Sequence, residues 1–257
     1  MDYFVICLVA LIGSGLTLFS GFGLGTILLP VFGLFFPIEI AIILTSIVHF
    51  LNNILKLFLF GRKANVTTVL AFGIPALLFA YIGATILKNL TTTEPLFDFT
   101  IASHTFTIMP IKLIVGVLLI VFALLDIIPK YKNIAFDKKY LPIGGVLSGF
   151  FGGLSGHQGA LRSAFLIRTN LSKEAFIATG VVIACMIDAS RLSVYLSQIV
   201  KQNNTLDYKL ILFATGAAFT GVYFGNKLVK KVTIKTIQNV VAVMLLVYAV
   251  LLILGVL

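Results

Sequence analysis

Tryptophan is absent from these 257 residues, cysteine occurs twice, histidine three times, and charged side chains make up only 11%. Each shortage excludes something. Cys7 and Cys185 lie inside apolar runs and read as small core residues, so no disulfide framework is expected. Three scattered histidines and two apolar cysteines offer no ligand spacing; neither a metal centre nor a cofactor is expected. The scarcity of charge argues against a soluble domain, which normally carries about twice as much. Acidic residues are scarcer still, 9 against 19 Lys and Arg, for a net charge of +10. On a soluble protein that surplus would suggest nucleic acid. Here the cations sit in short gaps between apolar runs, where membrane topology signals sit, so no nucleic acid partner is expected.

What abounds is apolar surface. Hydrophobic residues make up 60% of the chain and 23 of them are Phe, more than a fold of this size can hide from water. Lipid is the expected solvent. The apolar mass is spread over the whole length, which leaves no room for a separate soluble domain. The first residues lack the positive n-region of a signal peptide and carry Asp2, so this segment is expected to be retained.

Ten apolar segments are predicted: Tyr3–Phe19, Phe22–Phe36, Ile38–Phe60, Val66–Leu90, Pro110–Ile128, Leu141–Phe151, Gly156–Arg168, Lys173–Gln198, Leu206–Val229 and Thr233–Leu257. Four are short and form two pairs that meet at glycine-rich turns, Gly21–Gly25 and Gly152–Gly159. Short apolar segments broken by glycine read as half-helices or re-entrant hairpins. If each hairpin enters and leaves on one face, twelve cations share a side: Arg62, Lys63, Lys130, Lys132, Lys138, Lys139, Arg168, Lys173, Lys227, Lys230, Lys231 and Lys235. Only Lys88, Lys112, Lys201 and Lys209 fall opposite. The rich side is expected to be cytoplasmic, with both termini outside.

Each half is then one hairpin plus three crossings, an odd number, so the halves have opposite orientation. The expected architecture is all-α and polytopic. It has a first repeat over 1–134 (hairpin 3–36; spans 38–60, 66–90, 110–128) and a second over 135–257 (hairpin 141–168; spans 173–198, 206–229, 233–257). Ala41 to Val48 (AIILTSIV) parallels Ala175 to Val182 (AFIATGVV) at matching distances after the two breaks. Small-residue stripes, Ala76, Ala80 and Ala84 in one half and Ala217, Gly221 and Gly225 in the other, predict close helix approach. Inverted halves with broken helices are the pattern of secondary transporters, whose sites lie where the breaks meet.

Half-helices starting near Gly23 and His157 would aim unpaired backbone N–H groups into the protein centre, which favours an anion. Gly23, Leu24, Gly25, Gly156, His157, Gln158 and Gly159 are therefore candidate binding residues. Arg162 is a charge on a short apolar arm, suited to an oxyanion. Arg191 has Asp188 at i−3, which reads first as a structural ion pair that still lines the pathway. Thr45, His49, Asn52, Asn53 and Lys56 follow helical spacing along one face, which is expected to look inward, with Lys56 snorkelling to the cytoplasmic end. His49, His157 and Asp188 are candidates for proton coupling. An enzymatic role is not expected. Gly153-Leu154-Ser155-Gly156 matches the G-x-S-G of rhomboid-type proteases, but no histidine follows His157 to act as base.

Gly21-Phe22-Gly23-Leu24-Gly25, followed by Thr-Ile-Leu-Leu-Pro30, resembles the G-x-G-G-G-x-x-x-x-P element of the sulfite exporter TauE/SafE family. The run Gly144 to Gly156 (GGVLSGFFGGLSG) resembles that family's second-repeat element. The resemblance covers essentially the whole chain. It implies a multi-pass permease of the bacterial inner membrane for sulfite, sulfonates or related organosulfur anions. Leu24 replaces the middle glycine and His157-Gln158 occupy part of the second element, so the substrate is open to differ from sulfite. The resulting expectation is alternating-access export. Backbone amides at 23–25 and 156–159 cradle the anion, Arg162 balances its charge, and His157 and Gln158 select its shape. Asn52, Asn53 and Arg191 complete the expected site. A passive anion channel and a non-transporting scaffold or sensor are the alternatives.

Overall fold

The computed structural model describes residues 2–20, 23–101, 103–128, 135–202, 206–228 and 234–257. Gly21, Phe22, Lys130, Lys132, Lys230 and Lys231 lie outside the described residues, as do the side chains of Lys201, Lys227 and Lys235.

Ten helices of eight residues or more are present among the described residues. The first hairpin is α1 (Asp2–Ser20) and α2 (Leu24–Gly33). Three long helices follow: α3 (Ile38–Phe60), α4 (Val66–Leu90) and α5 (Pro110–Ile127). The second hairpin is α6 (Leu141–Ser155) and α7 (Gly159–Leu166), followed by α8 (Lys173–Gln202), α9 (Tyr208–Leu228) and α10 (Ile234–Ile253). Three are long and apolar enough to cross a membrane on the described residues: Ile38–Lys63, Val66–Leu90 and Lys173–Ser197. In α4, Pro75 has no N–H to donate, and the turn before it, Val69–Gly73, widens to π-helix.

Several bounds differ from the sequence reading, most by a few residues. Helix α6 runs four residues past Phe151 to Ser155 and stops at Gly156, whose φ of 81° only glycine adopts freely. Gly152 and Gly153 stay helical because both are packing surfaces, so the glycine run is mostly interface and only its end is the break. The stretch after α4 contains a hairpin, β1 (Phe97–Ile101) and β2 (His104–Ile108), paired antiparallel with Phe99 opposite Phe106. The two rings stack at 5.2 Å, with Asp98, Thr100, Thr105 and Thr107 on the other face.

Close helix approach organises the interior. Gly145, Gly149 and Gly153 of α6 lie directly on the carbonyl oxygens of Phe72, Ala76 and Ala80 of α4, where a Cβ would overlap. Gly221 and Gly225 of α9 lie likewise on Leu11 and Gly15 of α1. Thus α4 pairs with α6 and α1 with α9, while α3 packs on α8 and α5 on α10. Tyr3 Oη donates to Asp207, tying α1 to the turn before α9 and holding the Asp207 carboxyl below its usual range. Around the outside, Leu70, Ile74, Leu78 and Tyr81 of α4 and Val240, Val243 and Val247 of α10 are exposed. Lipid is the medium that tolerates such a girdle.

Candidate functional site

Three polar side chains of α3 point to the protein centre from one face. His49, Asn53 and Lys56 are 4%, 5% and 5% exposed. They meet the second hairpin and α8. Asp188 of α8 is fully buried and is the hub. Its Oδ1 accepts from Arg191 Nε at 3.0 Å and from Gln158 Nε2 at 3.1 Å, with Arg191 Nη2 in ionic contact at 2.7 Å. Its Oδ2 lies 2.7 Å from His49 Nδ1 and accepts from Asn53 Nδ2 at 3.2 Å. A carboxylate can only accept, so Nδ1 of His49 carries the proton and Nε2 is left to look toward the first break. A Cβ on Gly23 would stand 3.1 Å from that Nε2. Gln158 passes the network on: its Oε1 accepts from Arg162 Nη1 at 3.3 Å.

Arg191 does a second job. Its Nη1 lies 3.5 Å from the Gly152 carbonyl, at the C-terminal end of α6, and a Cβ on Gly156 would stand 2.8 Å from it. Tyr195, one turn on, donates to the Gly153 carbonyl. These two side chains occupy the carbonyl end of the broken helix, where the helix dipole attracts a cation.

Beside the hub is a small half-open cavity. Gly23 and Leu24, at the start of α2, form one wall; His49, Asn53 and Lys56 form the next; Arg162, Ser163 and Gly180 close the third. Gly180 makes room for the arginine, since a Cβ there would lie 3.4 Å from Arg162 Nε. The first turn of α2 adds backbone N–H groups without partners in their own helix. Among the described residues no acidic side chain lines this space. The lining extends to Lys56, Leu166 and Phe176, at helix ends next to Arg62, Lys63, Arg168 and Lys173. A small, cationic, donor-rich pocket of this kind can hold a compact anion.

The family model described as Sulfite exporter TauE/SafE matches residues 6–252. The chain belongs to this family. It is therefore a multi-pass membrane protein of a transporter family, and its context is a small anionic solute and a lipid bilayer. A search of curated proteins returns no match.

Of the residues singled out from the sequence of this TauE/SafE protein, Gly23, Leu24, His49, Asn53 and Arg162 line the cavity. Gln158 and Asp188 stand one bond behind it. Gly25 packs against Thr45 and His49. Asn52 accepts from Ser14 at 3.0 Å and its amide nitrogen has no partner among the described residues. Gly156 abuts Arg191, and Gly159 opens α7. His157 does not line the cavity. Its Nδ1 lies 3.0 Å from the Ser155 carbonyl and its ring stacks on Phe122 at 5.8 Å. Lys56 departs furthest from expectation: it stays 5% exposed on the cavity wall instead of snorkelling to open water. Thr17, Ser163 and Gly180 also line the space and carried no sequence signal beyond being small. Asp188 was visible beside Arg191, but its contact with His49, 139 residues away, was not.

Proposed function

We propose that this protein is a secondary transporter that exports a small sulfur-containing oxyanion, such as sulfite or an organosulfonate, by alternating access. The observation that carries the reading is the cavity in which Arg162, Lys56 and the start of α2 converge without an acid on the wall among the described residues. The side chains charged for an anion and the helix break lie in one place, at the level of a buried ionisable network.

Packing supports the two inverted halves. Exchanging them maps α1 onto α6, α3 onto α8, α4 onto α9 and α5 onto α10. The pairings α1–α9 and α4–α6 then change places, while α3–α8 and α5–α10 map onto themselves. The lining includes Lys56, Leu166 and Phe176, which lie within a few residues in sequence of Arg62, Lys63, Arg168 and Lys173, cations that the positive-inside rule assigns to the cytoplasmic face in this reading. Leu44, Leu154 and Tyr195 are buried in the interior. Inverted halves with broken helices favour alternating access over a passive channel. In this reading the membrane is the bacterial inner membrane and the termini are outside. His49, held by Asp188 and turned to the cavity, is the coupling group for protons.

The test is uptake into proteoliposomes of the full chain, screening sulfite, thiosulfate, sulfonates, sulfate and phosphate with and without a pH gradient. Saturable movement of at least one sulfur oxyanion is expected. No movement of any anion would falsify the proposal.

A further inference from the structure

The charges in the centre of the protein do not cancel, and the remainder sets the valence of what binds there. Asp188 carries the sole negative charge of the buried network among the described residues, and Arg191 already meets it at 2.7 Å. That pair sums to zero. Two cations are left on the cavity wall. Arg162 touches only the neutral Gln158 amide among the described contacts, at 3.3 Å. Lys56 has no acidic partner among the described residues and is 5% exposed on the cavity wall. Asp137 is engaged elsewhere, with Arg168 at 3.2 Å on the surface.

Two uncompensated charges facing one small cavity repel each other and each loses hydration on burial. A ligand with one negative charge relieves half of that. A ligand with two relieves all of it. We infer that Lys56 is a substrate-binding residue and that, together with Arg162, it selects divalent over monovalent anions. The inference rests on the cavity being the transport site, and it narrows that reading to doubly charged oxyanions or sulfonates bearing a second acid. Zwitterionic and singly charged sulfonates are the excluded class.

Sulfate and methanesulfonate make a clean pair of probes, because both are tetrahedral and of similar size but differ by one charge. Binding of each to the purified full chain is measured by titration calorimetry at fixed ionic strength. Wild type is expected to bind sulfate about tenfold or more tightly than methanesulfonate, as one extra pairing at low effective dielectric implies. Lys56→Met is expected to bring that ratio close to one by weakening sulfate alone, and Lys56→Arg to keep it. A wild-type ratio near one overturns the inference without any variant, so misfolding of Lys56→Met does not shield it. Failure of both probes to bind wild type overturns it too. So does a Lys56→Met protein that keeps the wild-type ratio. In each case, continued uptake of some anion by proteoliposomes leaves the transport reading standing, whereas loss of all uptake removes both.

Discussion

Asp188→Asn tests the buried hub directly. The carboxylate is 0% exposed and takes four side chains at once: Arg191 and Gln158 on Oδ1, His49 and Asn53 on Oδ2. An amide of the same size must present a donor to one of those two sides. Turning it toward His49 is the lesser harm, because the imidazole can change tautomer and accept. Arg191, 1% exposed, then keeps a neutral oxygen where it had a full charge. Removing one partner of a buried pair costs about 3–5 kcal/mol, mostly as the stranded charge. With about 2–4 °C per kcal/mol for a chain of this size, a fall in Tm of about 10 °C is expected. The double variant Asp188→Asn, Arg191→Met removes the stranded charge, so it should regain about half of the loss or more. Thermal unfolding of both variants in lipid nanodiscs is the assay. An Asp188→Asn protein within about 2 °C of wild type would refute the reasoning. So would a double variant that falls by the sum of the single losses.

Gly149→Val should abolish a monodisperse folded species, because its branched Cβ would enter the Ala76 carbonyl, while Gly216→Ala, with nothing within 4 Å, should leave chromatography and Tm unchanged. Gly180→Leu places bulk where Arg162 lies, 3.4 Å from the site of its Cβ, and is expected to cut oxyanion uptake about tenfold or more with little loss of Tm. His49→Gln keeps a hydrogen-bond partner for Asp188 but cannot carry a proton at neutral pH. Uptake driven by an anion gradient should persist and its acceleration by a pH gradient should vanish; undiminished acceleration would remove His49 from coupling.

The helices were legible because hydropathy, cations and proline act locally. Ile38–Phe60 and Val66–Leu90 have the bounds that the sequence implies. The β-hairpin was not legible: the stretch from Thr91 to Met109 reads as an outer-side loop, and the strands emerge only once Phe106 is known to face Phe99. The glycine run in α6 carried two meanings that sequence cannot separate. Gly145, Gly149 and Gly153 serve an interface four residues apart, and only Gly156 serves the turn. Arg162 and the α3 stripe were found because charge inside an apolar segment is costly and stands out. What each charge touches was not legible. The position of Lys56 near a helix end implies an escape to water, yet α7 and α8 cover it, a tertiary fact without local trace. His157 shows the converse: a histidine at the break looks like a site residue, but Phe122, from α5, claims its ring.

The chain holds two arginines near one carboxylate, Arg191 buried and Arg162 half-buried, and the unequal sharing is what makes an anion site workable. Had Arg162 taken Asp188, an incoming anion would have to break an ion pair in a low-dielectric interior before gaining anything. Arg191 prevents that by claiming Oδ1 through Nε at 3.0 Å and Nη2 at 2.7 Å, from one turn along the same helix. Arg162 is left with a neutral amide at 3.3 Å, a contact that an oxyanion can outcompete through two charge-assisted bonds. Arg191 in the proposed mechanism therefore never touches the anion. It keeps Arg162 available, and it ties the hub to the Gly152 carbonyl at the break, so that the charge balance and the shape of the turn are set by one side chain. The consequence is directional: loss of Arg191 should let Asp188 capture Arg162, which weakens anion binding even where the fold survives.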